Sequence, residues 1–309
     1  MSSSSIPLPP DLTVLERGWL SSNNILIQGR QGTALVDSGY ATHAPQTVAL
    51  VRAALGDRPL DQLVNTHLHS DHCGGNAALQ AAWPALRTAI PPGLAEHVRQ
   101  WDAEALTYAP TGQHCPPFTF DSLLQPGTEV RLGDRVWQVH AAPGHDTHSV
   151  ILYEAASRIL ISADALWERG FGVVFPELEG DDAFDELGET LDLMESLAPA
   201  LVIPGHGRLF TDVGGAIAFA RERLGGFVRD PARHTRHAAK VLLKFKLLEL
   251  QHLPLDQFVQ WANATPYFHV MARSLRGTDE VAAWIGELVA ELVRAGAASV
   301  EDGVVFDRS

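Results

Sequence analysis

The sequence predicts an α/β fold followed by a smaller, mostly helical unit, and three observations carry that reading. Short apolar runs bounded by Gly, Pro and Asp alternate with amphipathic stretches up to Gly207, the pattern of layered sheets and helices. Beyond Gly207 the apolar spacing becomes helical almost throughout. Near the end, Ser299–Phe306 alternates around Asp302-Gly303, a hairpin turn signal.

The elements follow in order. Leu12–Leu15, Asn24–Gln28 and Thr33–Asp37 read as strands that open a sheet. Ala44–Ala54 has helical spacing and stops at Gly56-Asp57-Arg58-Pro59. Gln62–Thr66 is a strand, Gly75–Trp83 a helix, Leu86–Ile90 a strand and Ala95–Ala105 a helix. Tyr108–Phe118 carries three prolines and a glycine and reads as loop. Val130–Val139 and Val150–Ile161 are strands, the second with a turn near Ala155-Ala156-Ser157; Asp185–Leu197 is a helix and Leu201–Pro204 a strand. Then come helices at Ala216–Val228, Ala238–Glu249, Leu255–Ala264 and Asp279–Ala295, the last closed by Gly296. The expected division is a disordered tail at 1–11, a catalytic domain at 12–230 and a helical domain at 231–309.

At 309 residues the chain can bury a core that needs no staples. No apolar run approaches the length of a membrane span, so no membrane partner is expected. The start lacks a basic segment and a long apolar segment, so it reads as a tail and not a signal peptide. Cys73 and Cys115 have no paired-motif spacing, which points to a reducing, cytoplasmic setting. Net charge is −14, and residues 231–309 balance nine cations against nine carboxylates, so the acidic excess lies before residue 231. An acidic catalytic portion repels phosphate backbones at long range, and nucleic acid is not the expected partner. A small-molecule substrate is expected.

The segment richest in chemistry is His67-Leu68-His69-Ser70-Asp71-His72, which places three imidazoles and one carboxylate in six residues after the apolar Leu63-Val64. Imidazole nitrogen and carboxylate oxygen are the ligands of borderline divalent metals. If the segment leaves a strand, His67 and His69 point the same way, and a turn beyond them aims Asp71 and His72 elsewhere.

This string, with Gly74-Gly75-Asn76 after it, resembles the signature of the metallo-β-lactamase superfamily. Other landmarks resemble the family in its order: Asp37 after a strand, Pro143-Gly144-His145, Asp164 after Ile161-Ser162-Ala163, and Pro204-Gly205-His206-Gly207. The resemblance implies an αββα sandwich with metals at one edge of two sheets. It implies His67, His69 and His145 at a first metal, Asp71, His72 and His206 at a second, and Asp164 bridging both. The helix, helix, hairpin outline at the end resembles the winged-helix extension of the lactamase-β-2-like branch. That unit has no basic excess, so its expected roles are covering the site's mouth and joining a homodimer.

The implied activity is hydrolysis by a dinuclear metal site, zinc by default, with iron or manganese accepted by the same ligands. A metal-bridging hydroxide attacks an ester-type carbonyl, of a thioester or lactone, and Asp71 passes a proton to the leaving group while Asp164 is held by two cations. The resemblance places the chain nearest the hydroxyacylglutathione hydrolase and lactonase branch. Asp164 stands where true metallo-β-lactamases carry another residue, which argues against antibiotic hydrolysis as the main task. His69 separates the string from that of flavodiiron proteins, and the extra domain of the superfamily's long nucleases has no room before His206. A mononuclear iron persulfide dioxygenase, an RNA-cleaving hydrolase and promiscuous β-lactam hydrolysis stay open as alternatives.

Supporting residues are expected at Asp37, His148 and Ser149. His148 stands where the family often has Gly, and it reads either as a hydrogen-bonding partner of a ligand or as a surface-turn residue. Trp167, Phe171 and Phe175 read as an apolar pocket wall or as core, and His114 as a pocket residue on the Pro-rich loop.

Overall fold

The computed structural model describes residues 8–278 and 280–308. A mixed sheet is built from β1 (Leu12–Leu15), β2 (Asn24–Gly29), β3 (Gly32–Val36), β4 (Gln62–Val64), β5 (Arg87–Ile90) and β6 (Ser122–Leu123), neighbours in chain order. β1 to β3 pair antiparallel, and β3 to β6 pair parallel. The second sheet runs β11-β10-β9-β8-β7, from β7 (Glu129–Leu132), β8 (Arg135–Ala141), β9 (Val150–Glu154), β10 (Ile159–Ala163) and β11 (Leu201–Pro204). Its β10–β11 pair is parallel and the others are antiparallel.

Period-two alternation sorts side chains between the layers. Ile25, Ile27, Ala34 and Val36 face Trp137, Val139, Leu152, Ile161 and Ile203 in the core between the sheets. The intervening Leu26, Leu35 and Leu63 face outward to Val51 and Leu55 of α1 (Ala44–Leu55). Past the one-turn α2 (Ser70–Cys73), Leu79 of α3 (Asn76–Ala82) joins the same outer cluster. Two short helices follow, α4 (Ala95–Gln100) and α5 (Tyr108–Thr111). After α6 (Phe175–Glu179), the outer face of the second sheet is covered by α7 (Ala183–Leu197) and α8 (Val213–Arg229) through Leu187, Leu191, Met194, Ile217 and Leu224. The result is the expected helix–sheet–sheet–helix layering.

The C-terminal unit runs α9 (Pro231–Leu250), β12 (His252–Pro254), α10 (Leu255–Ala264), α11 (Pro266–Arg276), α12 (Val281–Arg294), β13 (Ala298–Glu301) and β14 (Val304–Asp307). Its three strands pair in the order β12-β14-β13, and Leu243, Phe258, Phe268, Trp284, Leu288 and Val305 share one core. Val173 of the catalytic portion inserts into that core. The hairpin turns at Asp302-Gly303 with both residues at positive φ, as a two-residue type I′ turn requires.

Several expectations change. Val130–Val139 is two strands, parted at Gly133, whose φ is 59°. The helix from Ala95 stops at Gln100, because Trp101 turns left-handed at φ 52°. The Pro-rich loop contains α5, and α11 and β12 arise where no element was read; Pro266 starts α11 at its first turn, where proline lacks no needed donor. Residues 1–7 of the expected tail, and Asp279, lie outside the described residues. The remainder of that tail is packed: Leu8 joins the inter-sheet core and Asp11 pairs with Arg135 at 2.6 Å. Among the described residues no helix is long and apolar enough to cross a membrane.

Candidate metal centre

Every candidate ligand lies past the carboxyl end of a strand, on one side of both sheets. Asp37 follows β3, the His67–His72 string follows β4, His145 lies between β8 and β9, Asp164 follows β10 and His206 follows β11. Chain ends there leave backbone groups free to aim side chains, as in other open α/β sheets. Two exits are strained: Asp37 and Ala163 hold φ values of 58° and 47° without being glycine.

The strand before the string ends at Val64, so strand alternation does not orient His67 and His69 as expected. Leu68 does so instead. It is buried with Val98, Tyr108 and Phe118 and anchors the string between the two imidazoles. The Tyr108 hydroxyl donates to the Leu68 carbonyl at 2.8 Å. Asn76 ties down the far end, donating to Asn65, which donates to the His72 carbonyl.

Two clusters result, His67/His69/His145 and Asp71/His72/Asp164/His206. In the first, His69 Nδ1 stands 3.1 Å from His67 Nε2 and 2.8 Å from His145 Nε2. His145 donates its Nδ1–H to the Val173 carbonyl at 2.6 Å, which leaves Nε2 bare and turned inward. Burial, reinforced by the neighbouring imidazoles, holds His67 well below the usual histidine range; burial and His69 bring His145 to about 4. Neutral imidazole is the form a metal needs.

In the second cluster, His206 Nε2 lies 3.0 Å from Asp71 Oδ2, and His72 Nε2 lies 3.4 Å from Asp164 Oδ1. His72 Nε2 is buried with no hydrogen-bond partner among the described residues. A buried nitrogen left in that state is costly unless something binds it. The Asp164 carboxylate faces both clusters, with Oδ2 3.6 Å from His145 Nε2 and 3.8 Å from His206 Nε2. Burial opposes its charge, yet His206, His72 and His145 hold its carboxyl well below the usual range. Burial also opposes charge on His72, but Asp164, Asp37 and Asp71 outweigh it and raise its pKa. Converging bare nitrogens, an orphaned buried nitrogen and a carboxylate between the clusters all fit divalent metal, which would take over the positive charge that these carboxylates favour.

Glycine in the Pro-Gly-His motifs has a steric cause. A Cβ on Gly205 would come within 2.2 Å of Asp164 Oδ1, and Gly144, at φ 129°, packs against Leu187. Residues 22–23 strap the ligand loops together: Ser22 N–H donates to the Asp71 carbonyl, and Asn23 donates to the carbonyls of Pro204, Gly205 and Gly207.

Asp37 accepts from His72 Nδ1 at 2.8 Å and from Thr66 N–H and Oγ1. Ser149 closes the His145 loop by donating to the Ala142 and Asp146 carbonyls, without touching a ligand. The exposed ring of His148 packs on Gly93, and only its backbone N–H acts toward the site, donating to Asp146. Asp146 faces His69 Nε2 at 3.6 Å and is a residue the sequence reading passed over.

A cavity of about 560 Å³ opens from the clusters, touching His69, Asp71, His145, Asp164 and His206. Trp167, Phe171 and Phe175 line it, Phe171 being at the same time part of the buried core; Trp167 Nε1 donates to Asp164 Oδ1 at 3.3 Å, and Phe175 sits edge-on to His69 and His145. His114 does not line it. Its side chain is exposed, and the preceding Gln113, bonded to Ser70, takes that place. Two contributions escaped the sequence reading. Trp19, 54 % exposed, stacks on His206 with centroids 5.6 Å apart. The far wall comes from α9 and α12, including Val241, Phe245, Leu248 and Leu292. Both depend on long-range packing that no local pattern encodes.

The wall also touches the ligands indirectly. The peptide between Val173 and Val174 accepts from His145 through its carbonyl and donates through its N–H to His234 Nε2 of α9, at 3.1 Å. Nearby, the buried Cys73 and Cys115 sulfurs stand 3.8 Å apart as free thiols.

Residues 17–206 match the family model described as the metallo-beta-lactamase superfamily, and the chain belongs to that superfamily. It is an enzyme of the superfamily's hydrolase class. The acyl-coenzyme A thioesterase MBLAC2 of Gallus gallus is 27% identical over 215 residues, 64% of this chain and 77% of that protein. A hydroxyacylglutathione hydrolase of Stenotrophomonas maltophilia is 31% identical over 141 residues, 45% of this chain and 46% of that protein. In fold, the chain resembles a beta-lactamase domain protein from Burkholderia ambifaria, with a TM-score of 0.59 at 23% identity, over 99% of this chain and 97% of that one.

Proposed function

We propose that the protein hydrolyses thioesters of small thiols, using two divalent ions, zinc by default, held by the two clusters. The observation that supports this most is the placement of Asp164 between three inward imidazoles and a second His/Asp set, at the floor of an apolar-walled cavity. The relatives named as thioesterase and hydroxyacylglutathione hydrolase point the same way. Divalent ions so held supply an activated water and a Lewis acid for the carbonyl.

The chain's own residues do the rest. Trp167, Phe171 and Phe175 exclude water from the acyl group. Asp71, which lines the cavity and is bonded to His206, would take a proton from the activated water and pass it to the leaving thiolate. Asp37, Asp146 and the Val173 carbonyl fix the tautomers and tilt of His72, His69 and His145. The buried thiols suit a reducing compartment such as cytoplasm.

The test is thiol release from a panel of S-acyl thiols, a lactone, a β-lactam and a phosphodiester. Thioester turnover that outpaces the others and is lost on chelation supports the reading. Oxygen uptake with a persulfide, without thioester turnover, replaces it with the dioxygenase.

A further inference from the structure

A second concavity of about 930 Å³ lies between α8, α9 and α11, and it shares Arg223, His237 and Lys240 with the metal-floored cavity. The two spaces meet at these three side chains. In a chain of net charge −14, this groove is lined by five arginines and a lysine against three carboxylates, Glu222, Asp230 and Glu287. Some of these cations are already matched. Arg236 and Lys240 pair with Glu291, and Arg276 pairs with Glu287. Arg223, Arg229 and Arg233 have no carboxylate partner among the described residues.

Arg223 is the informative one. It is half-buried between Phe171 and Phe227, 5.4 Å from each ring centroid, and its Nη2 donates to His237 Nε2 at 2.7 Å. His237 is neutral, pushed down to about 3 by burial and then by Arg223. A rigidly held guanidinium with no counter-ion, at the junction of two cavities, is costly unless an anion completes it. Planar guanidinium forks match phosphate oxygens, and several such arginines mark a seat for more than one phosphate.

We propose that this groove seats the phosphate groups of the substrate's carrier, so that the thiol released is a phosphorylated, nucleotide-bearing thiol of the coenzyme A type. The acyl end lies over the metal floor, and the carrier passes Arg223 into the groove. This rests on the thioester reading above. A tripeptide thiol such as glutathione has no phosphates to fill the groove.

The experiment compares acetyl-coenzyme A with S-acetyl-pantetheine, which keeps the thioester and lacks the phosphates, and adds calorimetric binding of free coenzyme A. Wild type should favour the coenzyme A thioester in kcat/KM. In the double variant Arg229→Glu/Arg233→Glu that preference should shrink about 10–100-fold, as expected for losing two charge-assisted contacts. Arg229→Lys/Arg233→Lys should restore part of it. Equal turnover of both thioesters, with no coenzyme A binding, overturns the seat and leaves the thioesterase standing. Groove-dependent coenzyme A binding without any thioester turnover supports the seat and overturns the hydrolase reading. Salt-steep binding of single-stranded RNA, lost in the Glu variant while the coenzyme A preference is unchanged, overturns the seat in favour of nucleic acid.

Discussion

The ligand string at His67–His72 and the helical wall of α9 reach one cavity by opposite routes. The string brings three imidazoles and a carboxylate together within six residues and needs only a buried Leu68 and one helical turn to aim them. The wall brings Lys240, Val241, Phe245 and Leu248 to the same cavity from about 170–180 positions later, by packing of whole elements. On the proposed reading, chemistry is concentrated in the first region and recognition in the second. The comparison teaches that local sequence can set a ligand cluster while its cavity wall depends on distant packing, here tied to the floor through the Val173–Val174 peptide.

The largest expected effect lies on the floor. Asp164→Ala removes the carboxylate that faces both clusters, and turnover should fall on the order of 10³-fold, the upper end for losing one electrostatic group in an active site. Elemental analysis of the same variant should show reduced metal. Full metal content with normal rates would break the assignment of Asp164 as the shared ligand. Next comes Asp37→Ala, which leaves His72 untethered and should weaken metal affinity about 10–100-fold. Titration with a competing chelator reads this directly, and an unchanged affinity would make Asp37 a turn former only.

A smaller effect probes the tie between floor and wall. His234 is buried and held near 4 by burial, with Arg223 adding to it, below the ordinary 6.5. A depressed histidine binds fewer protons folded than unfolded, so its contribution to stability is present above pH 6.5 and is lost as pH falls toward 4. His237 behaves in the same sense, toward about 3. His234→Gln keeps an acceptor for Val174 N–H and cannot titrate, so thermal unfolding should depend less on pH between 6.5 and 4 than in wild type. His234→Leu removes the acceptor as well and should lower metal affinity several-fold, up to about 10-fold, through His145. Equal pH dependence in wild type and the Gln variant would place the acid sensitivity elsewhere. The smallest effect is at the rim. Trp19→Ala removes a ring stacked on His206 and should raise KM a few-fold, about 1 kcal/mol of binding, with kcat nearly unchanged.

These contrasts match what was legible in the sequence. The layered α/β class was readable, and the ligand string drew attention to the strand exits where the two clusters form, because strand ends and dense ligand spacing are local signals. His114 was read as a pocket residue, but Gln113 lines the cavity instead, because His114 N–H donates to Tyr40 Oη and Ser70 Oγ donates to Gln113, bonds that no local pattern encodes. Of the two readings left open for His148, the exposed ring fits the surface turn, and the adjacent Asp146 faces His69. The basic groove was invisible because 231–309 is neutral by count and the region before it is acidic; only the packing of α8, α9 and α11 gathers Arg223, Arg229 and Arg233 on one side.

The most direct test of the account is native mass spectrometry of the purified wild-type chain. The account predicts two divalent ions per chain, both removed by a chelator together with thioester turnover. A single iron per chain, with turnover of a persulfide in oxygen and none of a thioester, would contradict it.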